Sequence, residues 1–100
     1  MPLQIGIIGY GYMGEIRHRT LIQHKNIDLS MICETNKKIL FDEQNITVVR
    51  NPLEVIESNV DAVFICTPNH LIPKLAIECL ERGKHVFCEK PPGRTLEDIV

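Results

Sequence analysis

Apolar runs of strand length alternate with stretches of helical periodicity from one end of the chain to the other. Leu3 to Ile8 reads as a first strand, Ile27 to Cys33 as a second and Thr47 to Val49 as a short third. Ala62 to Cys66 reads as a fourth and His85 to Cys88 as a fifth. The stretch from Val60 to Thr67, VDAVFICT, is close to continuously apolar and rich in β-branched residues. A strand with one wet face alternates polar and apolar positions, whereas one covered on both faces does not. VDAVFICT therefore predicts a parallel sheet with helices on either side.

The intervening segments carry helix punctuation. Ile72, Leu75, Ala76, Cys79 and Leu80 recur at i, i+3, i+4, i+7 and i+8, which puts one apolar stripe on one helix. Pro73 falls in its first turn, where a missing N–H costs little, and Gly83 follows Arg82 as a stop. Asn51-Pro52-Leu53-Glu54 predicts an N-cap, a proline at the first helical position and an acid one turn in. A short helix is expected from about Lys37 to Asp42, and another opens at Thr95. Strand–helix repetition of this kind implies right-handed crossovers and a doubly wound parallel sheet, with strand order 3-2-1-4-5. The last helix is cut one turn after its start, so residues 1–100 are expected to be most of one domain of a longer protein.

Composition narrows the class only a little. A hydrophobic fraction of 44%, a charged fraction of 24% and a net charge of -2 fit a globular domain. They provide no electrostatic case for nucleic acid or an acidic membrane surface. No apolar run is long enough to span a bilayer, and Met1 to Gln4 has no basic segment before the first apolar run, so the expected compartment is the cytoplasm. Cys33, Cys66, Cys79 and Cys88 are not spaced as CxxC and have no histidine cluster, which argues against zinc. Three of them fall in apolar strand-like runs and are expected to be reduced core thiols.

The first strand leads straight into three glycines, Gly9, Gly11 and Gly14, in the spacing GxGxxG. A glycine triplet alone is weak evidence. Here a strand precedes it and a helix of about ten residues is expected to follow it, which is the context a dinucleotide fingerprint needs. Gly9 permits the tight turn, Gly11 lets the backbone approach a pyrophosphate, and Gly14 lets the helix pack close to the strand. The N–H groups near Tyr12 and Met13 then point at the anion, aided by the helix dipole. Tyr10 and Tyr12 are expected to shape this loop through backbone and packing. Glu34 stands twenty residues after Gly14, at the end of the second strand, where a carboxylate can accept hydrogen bonds from both adenosine ribose hydroxyls. The same carboxylate would repel a 2′-phosphate and favours NAD over NADP. Lys37 and Lys38 follow closely and leave NADP open. His18 and His24 read as solvated.

Two further motifs, CTPNH from Cys66 to His70 and CEKPP from Cys88 to Pro92, fall at the carboxyl ends of the fourth and fifth strands. That edge of an open α/β sheet is where ligands bind. With GYGYMG, Glu34, DAVFICTPNHL and GKHVFCEKP together, nearly the whole chain resembles the Gfo/Idh/MocA oxidoreductases, named for glucose–fructose oxidoreductase and inositol dehydrogenase. The resemblance implies a two-domain NAD(P)-dependent enzyme. In it Thr67, Pro68, Asn69 and His70 would line the cofactor near its phosphates and nicotinamide ribose. Glu89, Lys90 and Pro91 would hold the nicotinamide ribose, and Lys90 would assist proton transfer at a substrate hydroxyl. A nearby ammonium stabilises developing alkoxide charge, which is the physical reason a lysine suits that place. His70 reads as a cap or cofactor contact rather than a base.

The implied substrate is a small molecule, the secondary alcohol of a sugar, cyclitol or nucleotide sugar. A second domain would supply most substrate contacts and the main interface of a homo-oligomer. This sequence departs from the family at Ile72, where a second histidine is usual, and at Pro92-Gly93-Arg94. A regulator that senses a dinucleotide without turning it over is the alternative reading.

Overall fold

The computed structural model describes residues 2–35, 46–67 and 71–88. Strand β1 (Leu3–Ile8) lies at the centre of a five-stranded sheet, and its inner side chains are covered from both faces: Ile5, Ile7 and Ile8 are at most 2% exposed. On one side it pairs with β2 (Ile27–Cys33), which pairs with β3 (Thr47–Val49). On the other side it pairs with β4 (Ala62–Ile65), which pairs with the edge strand β5 (His85–Cys88). All four pairings are parallel and the order is β3-β2-β1-β4-β5, as the alternating pattern predicts.

Among the described residues three helices connect strands: α1 (Tyr12–Leu21) links β1 to β2, α2 (Pro52–Ile56) links β3 to β4, and α3 (Ile72–Glu81) links β4 to β5. Ile5 and Ile7 pack with Leu21, Leu29, Ile32 and Ala62 on the α1 face. Ile8, Val55, Ile56, Val63, Ile65, Leu75 and Cys79 pack together under α2 and α3. The alternation within β1 thus divides one apolar run between two cores. Leu29 and Ile32 are an odd number of residues apart, so a regular strand would send them to opposite faces. The β1–β2 register slips between Ile5 and Gly6, passing from Leu29 to Met31, and both side chains reach the α1 core.

The helix signals hold at their starts. Asn51 Oδ1 accepts a hydrogen bond from the Leu53 N–H at 3.0 Å, with Pro52 opening α2. α3 ends at the Gly83 turn, where the Lys84 N–H reaches the Cys79 carbonyl at 3.1 Å. Lys84 Nζ then donates to the carbonyls of Ser58 and Val60, at 2.6 and 2.7 Å, and ties the start of β5 to the end of α2.

Several expectations are corrected. Leu80 continues the apolar stripe of α3 in sequence, yet it is 61% exposed. All four cysteines are reduced, but only Cys33 and Cys79 are core thiols, while Cys66 is half-buried and Cys88 is exposed on the edge strand. Strand β4 ends at Ile65, one residue before Cys66. Helix α1 begins at Tyr12 rather than after Gly14, which places that glycine inside the first turn. The helices expected from Lys37 to Asp42 and from Thr95 lie outside the described residues.

Candidate functional site

The carboxyl ends of β1, β2 and β4 meet at one edge of the sheet, and the glycine turn is wedged between them. Gly9 has φ of 97°, a conformation that side chains resist. Its N–H donates to the Cys33 carbonyl at 2.8 Å, while the Cys66 N–H donates to the Ile8 carbonyl at 2.7 Å. A Cβ on Gly9 would stand 2.8 Å from the Cys66 carbonyl group and 3.0 Å from Thr67 Cγ2. A Cβ on Gly14 would fall on the Gly9 carbonyl oxygen, so α1 can approach the turn only with glycine there. Gly11 differs from both: a Cβ there would meet nothing within 4 Å. Its flank is open to a ligand, and Gly11 caps α1 with backbone alone, leaving the first-turn N–H groups without a side-chain cap. Tyr12 is 79% exposed and Met13 half-buried, so these two line the mouth of the loop rather than its base.

Glu34 follows β2 and closes on the same turn. Its Oε1 accepts the Tyr10 N–H at 2.6 Å, which links two residues twenty-four positions apart. The Glu34 N–H donates to the Val49 carbonyl at 3.0 Å, and Arg50 Nη1 donates to the Glu34 carbonyl at 3.1 Å. The carboxylate expected to serve both ribose hydroxyls thus also serves the protein's own loop. A carboxylate accepts at about four positions, and the loop itself takes one of them. Burial pushes the neighbouring Cys33 thiol up to about 11, with the carboxylates of Glu34 and Glu54 adding to the effect.

Beside Glu34 a cavity of about 530 Å³ opens between the ends of β1 and β2, the start of α2 and the first turns of α3. Ile8, Leu53, Leu71 and Leu75 form apolar walls, and Glu34, Asn51, Lys74 and Glu78 supply polar groups. The volume lies within the usual range of small-molecule pockets, roughly 300–1,000 Å³. Sequence reasoning missed the share of α2 and α3 in this cavity. The available signal was that both helices begin at the carboxyl edge, so their first turns belong to the rim.

Thr67 also lines the cavity, and its Oγ1 is buried with no hydrogen-bond partner among the described residues. Such a group costs about 1–3 kcal/mol unless something bonds to it. An open flank at Gly11, a backbone-capped helix start, a carboxylate at the end of β2 and an unsatisfied hydroxyl across the cavity together fit a dinucleotide. Pro68, Asn69, His70, Glu89, Lys90 and Pro91, with Lys37, Lys38 and Arg94, lie outside the described residues.

His18 requires a correction. Far from solvated, it is 4% exposed, and its Nδ1 lies 2.7 Å from the Tyr10 hydroxyl. His24 is exposed, as expected.

Known proteins resemble the chain over this whole architecture. A family described as oxidoreductases with an NAD-binding Rossmann fold matches residues 3–100. Myo-inositol 2-dehydrogenase from Thermotoga maritima is 34% identical over 97% of this chain and 30% of its own length. The 2,7-anhydro-N-acetylneuraminate hydratase of Escherichia coli is 32% identical over 98% of this chain and 27% of its own length. The crystal structure of myo-inositol 2-dehydrogenase from Lactobacillus plantarum superposes with a TM-score of 0.77 at 28% identity, covering 99% of this chain and 31% of that one. The chain thus spans about 30% of the length of the first of these relatives. Among the described residues, no helix is long and apolar enough to cross a membrane.

Proposed function

The chain belongs to the Gfo/Idh/MocA oxidoreductase family, and from that premise we propose that it is the cofactor-binding part of a cytoplasmic NAD-linked dehydrogenase. Its substrate would be the secondary alcohol or ketone of a sugar, cyclitol or nucleotide sugar. The observation that carries the reading is the 2.6 Å hydrogen bond from the Tyr10 N–H to Glu34 Oε1. It brings the turn that would hold the pyrophosphate and the acid that would hold the ribose to one point of the rim.

Gly9 to Gly14 would hold the pyrophosphate through backbone N–H groups, Glu34 the adenosine ribose hydroxyls, and Thr67 a further polar group of the cofactor. Glu34 favours NAD, because a 2′-phosphate would meet a carboxylate already ordered by the loop. Pro68, Asn69, His70, Glu89 and Pro91 would complete the wall toward the nicotinamide. When bound, the nicotinamide supplies hydride acceptance or donation. Lys90 would assist proton transfer at the reacting oxygen, its ammonium stabilising the alkoxide charge that develops as a carbinol is oxidised or a ketone is reduced. A second domain after residue 100 would bring most of the substrate contacts and the interface of a homo-oligomer.

Lys90→Met in the full-length protein tests this reading. The variant should lower kcat on a polyol substrate by about 10²- to 10⁴-fold, the usual worth of positioned proton transfer. The NAD dissociation constant should change far less. Near-normal kcat would remove Lys90 from the chemistry. Binding of NAD without net formation of NADH from any polyol would favour the hydratase or sensor type of activity over the dehydrogenase.

A further inference from the structure

Tyr10 sits between Gly9 and Gly11, the place in the loop where the backbone is least constrained by its neighbours. It is nevertheless fixed at both ends. Its backbone N–H is on Glu34 Oε1 at 2.6 Å, and its hydroxyl is 2.7 Å from Nδ1 of His18, inside α1. The two rings pack with centroids 5.6 Å apart at 57°, and Tyr10 lies against the core on the α1 face. An imidazole that is 4% exposed needs a hydrogen-bond partner, and the tyrosine hydroxyl is one.

We propose that Tyr10 and His18 are positioning residues for Glu34: the part-buried hydroxyl–imidazole contact anchors Tyr10 to α1, and its N–H then orients the carboxylate toward the adenosine ribose. The pair thereby strengthens the preference for the dinucleotide that carries a free 2′-hydroxyl. The inference rests on the cofactor reading above.

Loss of a plain core hydrogen bond would destabilise the fold and weaken both dinucleotides alike, so the test is a coupling measurement. Dissociation constants for NADH and NADPH are measured on the full-length protein as parent, Tyr10→Phe, Glu34→Ala and the double variant. Tyr10→Phe keeps the ring and removes the hydroxyl. It should raise the NADH constant about 3- to 10-fold, as expected for one hydrogen bond, and leave the NADPH constant nearly unchanged. In the Glu34→Ala background the same substitution should change the NADH constant less than about 2-fold, because the group it orients is gone.

His18→Leu should reproduce the loss, and His18→Asn, which keeps a polar atom near the Nδ1 position, should restore much of it. Should His18→Leu fail to fold, the Tyr10→Phe cycle decides alone. Equal losses in both backgrounds, or equal losses for the two dinucleotides, would overturn the positioning role while leaving the cofactor reading intact. A parent protein that binds neither dinucleotide would overturn both.

Discussion

At the end of β1 the chain satisfies its own polar groups. The Gly9 N–H is on the Cys33 carbonyl, the Tyr10 N–H is on Glu34, and the Tyr10 hydroxyl is on His18. One strand away, at the end of β4, Thr67 Oγ1 is buried with no partner among the described residues. These two regions line the same rim but stand in different states of completion. The glycine turn is organised before any ligand arrives, so binding there costs little ordering. The Thr67 side holds an unmet hydrogen bond, which makes a ligand the more favourable. A rim of this kind is organised on the glycine-turn side and receptive on the other.

Substituting the glycines is the most drastic way to break the contrast. Gly14→Ala places a methyl on the Gly9 carbonyl oxygen, and overpacking of that kind should destabilise the protein by about 1–3 kcal/mol. Denaturant titration of the full-length protein measures it. Gly11→Ala, by contrast, meets nothing within 4 Å and should shift stability by no more than about 0.5 kcal/mol. It should still weaken NADH binding about tenfold, because the methyl occupies the flank left for the ligand. Equal stability losses in the two variants would show that the organised turn is not specific to its geometry.

Thr67→Val sharpens the other side. Removing an unsatisfied hydroxyl at constant shape should leave the unliganded protein as stable as before, or up to about 1 kcal/mol more so. NADH affinity should fall about 3- to 10-fold, read by calorimetry. A loss of stability in the absence of ligand would mean that the hydroxyl is already bonded within the protein.

The smallest expected effect concerns Cys33, beneath the organised side. Its thiol is raised from 9.0 to about 11 by burial, so the folded protein keeps a proton that the unfolded chain releases. Its contribution to stability is therefore complete below about pH 9 and is lost as pH rises toward 11. Cys79, also raised by burial, acts in the same direction. Denaturant midpoints should fall above about pH 9, and Cys33→Ala should flatten part of that fall. Maleimide labelling at neutral pH should find the exposed Cys88 well before Cys33.

Most of the fold was legible because its signals are local. Strand positions follow from short apolar runs, and the starts of α2 and α3 follow from Asn51-Pro52 and Pro73. The glycine spacing predicted a turn that its own backbone geometry requires. Glu34 was legible as a rim acid because the end of β2 falls at a set distance along the βαβ unit. Its bond to the Tyr10 N–H was not, since that depends on how closely two loops approach.

What the sequence determined by itself is thus the sheet, its order and the edge where the glycine turn and Glu34 stand, because periodicity and punctuation act over a few residues. The tertiary structure alone decided which polar groups on that edge are satisfied. His18 reads as a surface residue in a weakly amphipathic helix, and only packing against Tyr10 buries it. Leu80 reads as core, and the packing of α3 leaves it exposed. Leu29 and Ile32 share a core only because β2 slips register against β1. In each case the deciding contact joins segments far apart in the chain, and no local pattern carries that information.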